Sequence, residues 1–96
     1  MAERGTVTFF LYFDDEAQAE QARAALLADG FSPFPIDPPE EDDPAWSVLA
    51  DREMTDSEIE GYIAQVRRIA AAAGGHLDGI STPWPGHPAG SPPRRG

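Results

Sequence analysis

The segment Thr6 to Phe13, TVTFFLYF, constrains this chain more than any other, because its eight residues carry no charge and are nearly all β-branched or aromatic. Such side chains fit a pleated surface and gain most when that surface is covered, so the segment predicts a strand buried on at least one face. Side chains alternate in direction along a strand. Val7, Phe9, Leu11 and Phe13 therefore share one face, while Thr6, Thr8, Phe10 and Tyr12 share the other. The rest of the chain has to cover the first set and account for the second.

The next segment supplies the cover. DDEAQAEQARAALLADG opens with Asp14 or Asp15 as N-cap and acids in the first turn, and it sets Ala19, Ala22 and Leu26 on one helical stripe. Gly30 stands where a left-handed C′ residue ends a helix, and Phe31 is placed to pack back on the last turn. FSPFPID reads as a strand despite its prolines. Pro33 and Pro35 are two apart, so both missing N–H groups point the same way and Ser32, Phe34 and Ile36 pair on the other side. That predicts an edge strand, blocked against further pairing by the prolines.

AWSVLADREM, Ala45 to Met54, alternates as a third strand with Trp46, Val48 and Ala50 on one face and Ser47, Leu49 and Asp51 on the other. Thr55 and Glu58 then form a capping box, and Ile59, Tyr62, Ile63, Val66, Ala70 and Ala73 recur at helical spacing until Gly74 and Gly75. HLDGI, His76 to Ile80, is a short fourth strand. The order β, α, β, β, α, β predicts an α+β, ferredoxin-like sandwich with two helices on one face of a four-stranded antiparallel sheet. Right-handed crossovers place strands one and three in the centre.

The length of 96 residues suits one small domain, expected over residues 1–82, with residues 83–96 a disordered tail rich in proline and glycine. The chain has no cysteine, which removes disulfides and thiolate chemistry and fits a reducing compartment. MAERGTVTFF is not a signal peptide and no segment is long enough to span a membrane, so a soluble cytoplasmic protein is expected. The net charge is −10, and all seven basic residues are arginine. Residues 1–80 hold all 17 acids against five arginines, a balance of −12 that repels phosphate backbones and favours basic partners.

The chemistry-bearing groups point the same way. Glu40, Glu41, Asp42 and Asp43 form a contiguous run between Pro38, Pro39 and Pro44, without the alternation and glycine of a calcium loop. The run is either a solvated hairpin turn or an acidic patch for an arginine- or lysine-rich partner. His76 and Asp78 share a face of the last strand, and His87 lies in the tail. A metal-dependent hydrolase built on Asp14, Asp15, His76 and Asp78 would lack the clustering a metal needs. No nucleophile pairing or phosphate loop is present, so no enzyme, cofactor or metal is expected. On the sheet face away from the helices, Phe10 and Tyr12, with Leu49, make a contiguous patch suited to a partner or to a homodimer. Aromatics so placed stack bases in RNA-recognition domains, but this charge argues against direct nucleic-acid binding.

Several of these segments together resemble one family. YFDD at the end of the first strand, LLADGF closing the first helix, the proline-interrupted second strand, the tryptophan strand and AAAAGGHLDGIST at the end of the second helix are similar to the regulator of ribonuclease activity B family. LDGIST is similar to its aromatic-Asp-Gly-x-x-Thr closing segment, which puts Leu77, Asp78, Gly79 and Thr82 in that motif. Leu77 stands in place of the aromatic, and Ile80 in place of a tryptophan. The proline-rich tail ending in Arg94 and Arg95 departs from the family's acidic extension. The resemblance implies a ferredoxin-like protein that inhibits the endoribonuclease RNase E by binding it and so modulates RNA turnover. Glu40, Glu41, Asp42, Asp43, Phe10, Tyr12 and Asp78 are the candidate partner-binding residues. The alternative is a ferredoxin-like homo-oligomeric module that binds a small ligand or serves assembly.

Overall fold

A computed structural model of the chain describes residues 4–42 and 44–83. In order these form β1 (Arg4–Phe13), α1 (Glu16–Ala28), β2 (Ser32–Pro33), β3 (Trp46–Thr55), a 3-10 turn (Asp56–Glu58), α2 (Ile59–Ala72) and β4 (His76–Ser81). The sheet order is β2-β3-β1-β4 and every neighbouring pair is antiparallel. This is the expected ferredoxin-like α+β arrangement, with the two long strands central and the two short ones at the edges.

Parity separates the two faces of the sheet as expected. Val7, Phe9, Leu11 and Phe13 are buried beneath the helices with Val48, Ala50 and Met54 of β3. Ala19, Ala22 and Leu26 of α1 and Ile59, Val66 and Ala70 of α2 close over them. Tyr62 and Ile63 are half-buried at the margin of that core, and Trp46 and Leu77 pack against it from the strands. Alanines at the helix–sheet contact let the backbones approach, and the burial of Phe9 and Leu26 supplies much of the driving force.

Local chemistry sets the helix ends. Asp15, not Asp14, is the N-cap of α1, and its carboxylate accepts from the Gln18 N–H at 2.9 Å while Gln18 Oε1 accepts from the Asp14 N–H at 3.0 Å. Both helices finish in Schellman motifs. The Phe31 N–H donates to Leu26 O at 2.9 Å across Gly30, and the Gly75 N–H donates to Ala70 O at 2.8 Å across Gly74. Gly30 and Gly74 have φ of 91° and 92°, a left-handed conformation that side chains with a Cβ resist. The capping box forms as well, with the Thr55 N–H donating to Glu58 Oε1 at 2.8 Å, although the first turn it opens is 3-10 rather than α.

The second strand differs from its expected form. Only Ser32 and Pro33 pair continuously, opposite Asp51 and Ala50, and the Phe34 N–H then donates to Leu49 O at 2.8 Å. The next residue to pair is Asp37 rather than Ile36: Asp37 exchanges two hydrogen bonds with Ser47, each 3.0 Å. The register slips by one after Pro35, and Ile36 is left to pack against the core. An apolar side chain gains more there than in an exposed ladder, which is the physical reason for the slip.

Arg52 occupies a core-facing position of β3, a placement the sequence pattern did not resolve. Its guanidinium lies 5.2 Å from the Phe31 ring centroid and 4.7 Å from that of Tyr62, and Nη1 donates to the Asp29 carbonyl at 2.8 Å. A cation there completes the C-terminal end of α1, where carbonyls and the helix dipole both favour positive charge.

Candidate functional site

The helices leave the other face of the sheet open, and strand register assembles it into cross-strand rows. The central row runs Phe34, Leu49, Phe10, Gly79: Phe10 pairs with Leu49 on one side and Gly79 on the other, and Phe34 bonds to Leu49. Phe34 is 47% exposed, while Phe10 and Leu49 are half-buried by their neighbours. Gly79 opposite Phe10 adds no side chain to the row.

Polar rows lie on either side. Toward one end of the sheet, Tyr12 pairs with Ser47 and His76, and Ser47 pairs in turn with Asp37. The Tyr12 and His76 rings are 6.1 Å apart. The hairpin carrying Glu40, Glu41 and Asp42 leaves directly beyond Asp37, and all three of its acids are exposed. Asp43 and residues 84–96 lie outside the described residues, and with them the expected tail. Toward the other end, Thr8 pairs with Asp51, and its hydroxyl donates to Asp51 Oδ1 at 2.7 Å. One row further, Glu53 meets Arg4 at 3.9 Å, with both side chains largely in solvent, where such a pair contributes little.

Sequence reading located Phe10, Tyr12 and Leu49 on this face correctly. The register slip past the second strand adds Asp37 to the face and the bulge in the fourth adds His76, neither of which simple alternation places there, while Phe34 reaches it in the regular register before the slip. The bulge falls between Phe10 and Leu11 of β1, where Gly79 and Leu77 pair and Asp78 is left over, exposed at the sheet edge. It also brings Leu77 and Ile80, three residues apart, to the same covered side. Both positions at which the closing segment departs from its pattern thus remain apolar and packed.

The remaining candidate groups do not converge. Among the described residues, no three His, Cys, Asp or Glu side chains gather closely enough to hold a metal ion, and Asp15 is engaged as a helix cap. A groove of about 530 Å³ between α1 and the β2 edge, lined by Glu20, Arg23, Ala24, Leu27, Pro35 and Ile36, exposes Leu27, and Arg23 Nε there donates to Phe34 O at 3.0 Å. No helix of the described residues is long and apolar enough to cross a membrane. The Glu58 carboxyl is held below its ordinary value chiefly by the Thr55 N–H, with the Thr55 side chain, Arg4 and Arg52 adding to the effect.

Compared with known families, residues 1–82 match the model described as regulator of ribonuclease activity B. No curated protein and no solved structure matched.

Proposed function

Because this chain belongs to the regulator of ribonuclease activity B family, we propose that it is a non-catalytic regulator that binds an RNase E-type endoribonuclease and restrains RNA turnover. The family match over residues 1–82 carries the reading. Charge supports a protein target over a nucleic-acid one: a balance of −12 in residues 1–80 repels RNA and attracts basic protein surface. On this reading the protein works in the cytoplasm. The exposed acids Glu40, Glu41 and Asp42, with Asp43 next in sequence and Asp78 at the other sheet edge, steer a basic partner, and Phe10 and Tyr12 supply apolar contact. Homodimerisation through the same face is less favoured, since it would bring two acidic surfaces together.

Pull-down of the nuclease by the full chain at low and moderate salt, with an RNA-cleavage assay alongside, tests the proposal. Association that weakens with salt and slows cleavage is expected. No association at either salt rejects this partner.

A further inference from the structure

The open face has a more definite shape than an acidic patch. Its central row, Phe34–Leu49–Phe10–Gly79, runs from the residue just past β2 across β3 and β1 to β4. At an inter-strand spacing of about 4.8 Å, the row is roughly 14 Å long. Carboxylates lie to both sides of it: Asp51 one open-face row away, with Glu53 beyond, and Asp37 one row away on the opposite side, with Glu40, Glu41 and Asp42 beyond. One row is two residues along a strand, about 6.7 Å. The face is therefore an apolar stripe with acidic margins.

Building on the regulatory reading, we propose that this face is the docking surface for an amphipathic α-helix of the partner that carries arginine or lysine on both sides of an apolar stripe. A helix has a radius of about 5 Å with its side chains, and about ten residues span 15 Å. Laid along the central row, it sets its apolar residues on Phe10, Leu49 and Phe34 while its flanking cations reach Asp51 on one side and Asp37 and the hairpin acids on the other. An extended strand gains less here. It would present alternate side chains to the face and leave one acidic margin unanswered. A second copy of this chain fails on charge, because its own acids would meet these.

The test uses the full chain and a labelled synthetic helix, about 14 residues long, with leucines at helical spacing flanked by arginines. A probe of the same composition in scrambled order, which has the charge but no stripe, is the control. Fluorescence anisotropy is expected to show the striped probe binding at least tenfold more tightly. Leu49→Thr and Phe10→Ser should each remove most of that margin, and Asp51→Asn should reduce it severalfold. Glu60→Gln, which removes an equal charge from the exposed helical side, should leave it unchanged. Melting curves identify variants that fail to fold, in which case Phe34→Ser, at an exposed edge position, replaces them.

Equal binding of striped and scrambled probes overturns the proposal, because it reduces the face to nonspecific charge. A dimer in light scattering that Leu49→Thr dissolves also overturns it, by assigning the face to a second copy. Nuclease binding that survives Leu49→Thr and Phe10→Ser rejects this surface but leaves the regulatory reading. Striped-probe binding through these residues without nuclease binding rejects the named partner but leaves the surface.

Discussion

Phe9 and Phe10 are neighbours in one strand and meet opposite environments. Phe9 is fully buried, edge-on to Phe31 with ring centroids 5.7 Å apart, under a layer of two helices. Phe10 lies half-covered in the open row between Leu49 and Gly79. Composition cannot tell the two sets of side chains apart, yet parity assigns one to holding the fold and leaves the other available for contact. A chain of this size cannot spare many large apolar residues from its core. Aromatics kept on the uncovered face are therefore the more informative ones about function.

That contrast predicts a large asymmetry between adjacent substitutions. Phe9→Ala should cost about 3–5 kcal/mol, since it opens a cavity in a packed core. Phe10→Ala should cost only about 1 kcal/mol, the transfer cost of a half-covered ring. Urea unfolding of the two variants measures both. Equal losses would mean that the open face is a second core, and the functional reading of Phe10 would go with it.

Gly75 tests the seam between the two faces. A Cβ built there would collide with the Phe13 ring, which belongs to the covered side, and with the Tyr12 carbonyl, which belongs to the backbone under the open row. Neither neighbour is the free end of a flexible side chain, so the clash must be relieved by moving β1 or the start of β4. Gly75→Ala should therefore destabilise by about 1–3 kcal/mol, in the range of overpacking. It should also perturb NMR shifts on both faces, among them Phe13 and the Tyr12–His76 pair. Shift changes confined to the covered side would show that β4 can move without disturbing the open rows.

Much of the fold is legible in the amino-acid sequence. Regular alternation in β1 and β3 and the helical stripes assign the core residues correctly, because both periods are fixed by backbone geometry. Pro33 and Pro35 identify an edge by the direction of their missing N–H groups. Alternation fails where the period itself breaks. The slip after Pro35 moves pairing from Ile36 to Asp37, and the bulge at Asp78 puts Leu77 and Ile80 on one side. These two irregularities complete one outer row of the open face, Asp37–Ser47–Tyr12–His76. The site is accordingly the part of the molecule least readable from periodicity. Arg52 escapes for another reason: a charged residue inside the third strand gives no sign of facing the helices until the Phe31 and Tyr62 rings are seen beside it.

The smallest expected effect separates the faces by pH. Glu58 closes the capping box at the entry to α2, and its carboxylate is held below the ordinary value mainly by the Thr55 N–H. A group with a depressed folded-state pKa contributes stability that is present above its unfolded value, about 4.3 for glutamate, and lost as pH falls through the folded value. The Glu58 contribution should thus be intact at neutral pH and fade on the acid side of the usual carboxylate range. Glu58 is exposed, so the change should be small, and comparing Glu58→Gln with the native chain across that range isolates it. The native advantage should be largest near neutrality and shrink toward low pH. Because α2 covers only one face, amide exchange should quicken first in the entry turn of α2, over Asp56 to Ile59, while the Phe10–Leu49 pairing between β1 and β3 holds. Simultaneous loss of protection in both places would show that the cap is not a separable element, and that the two faces open together.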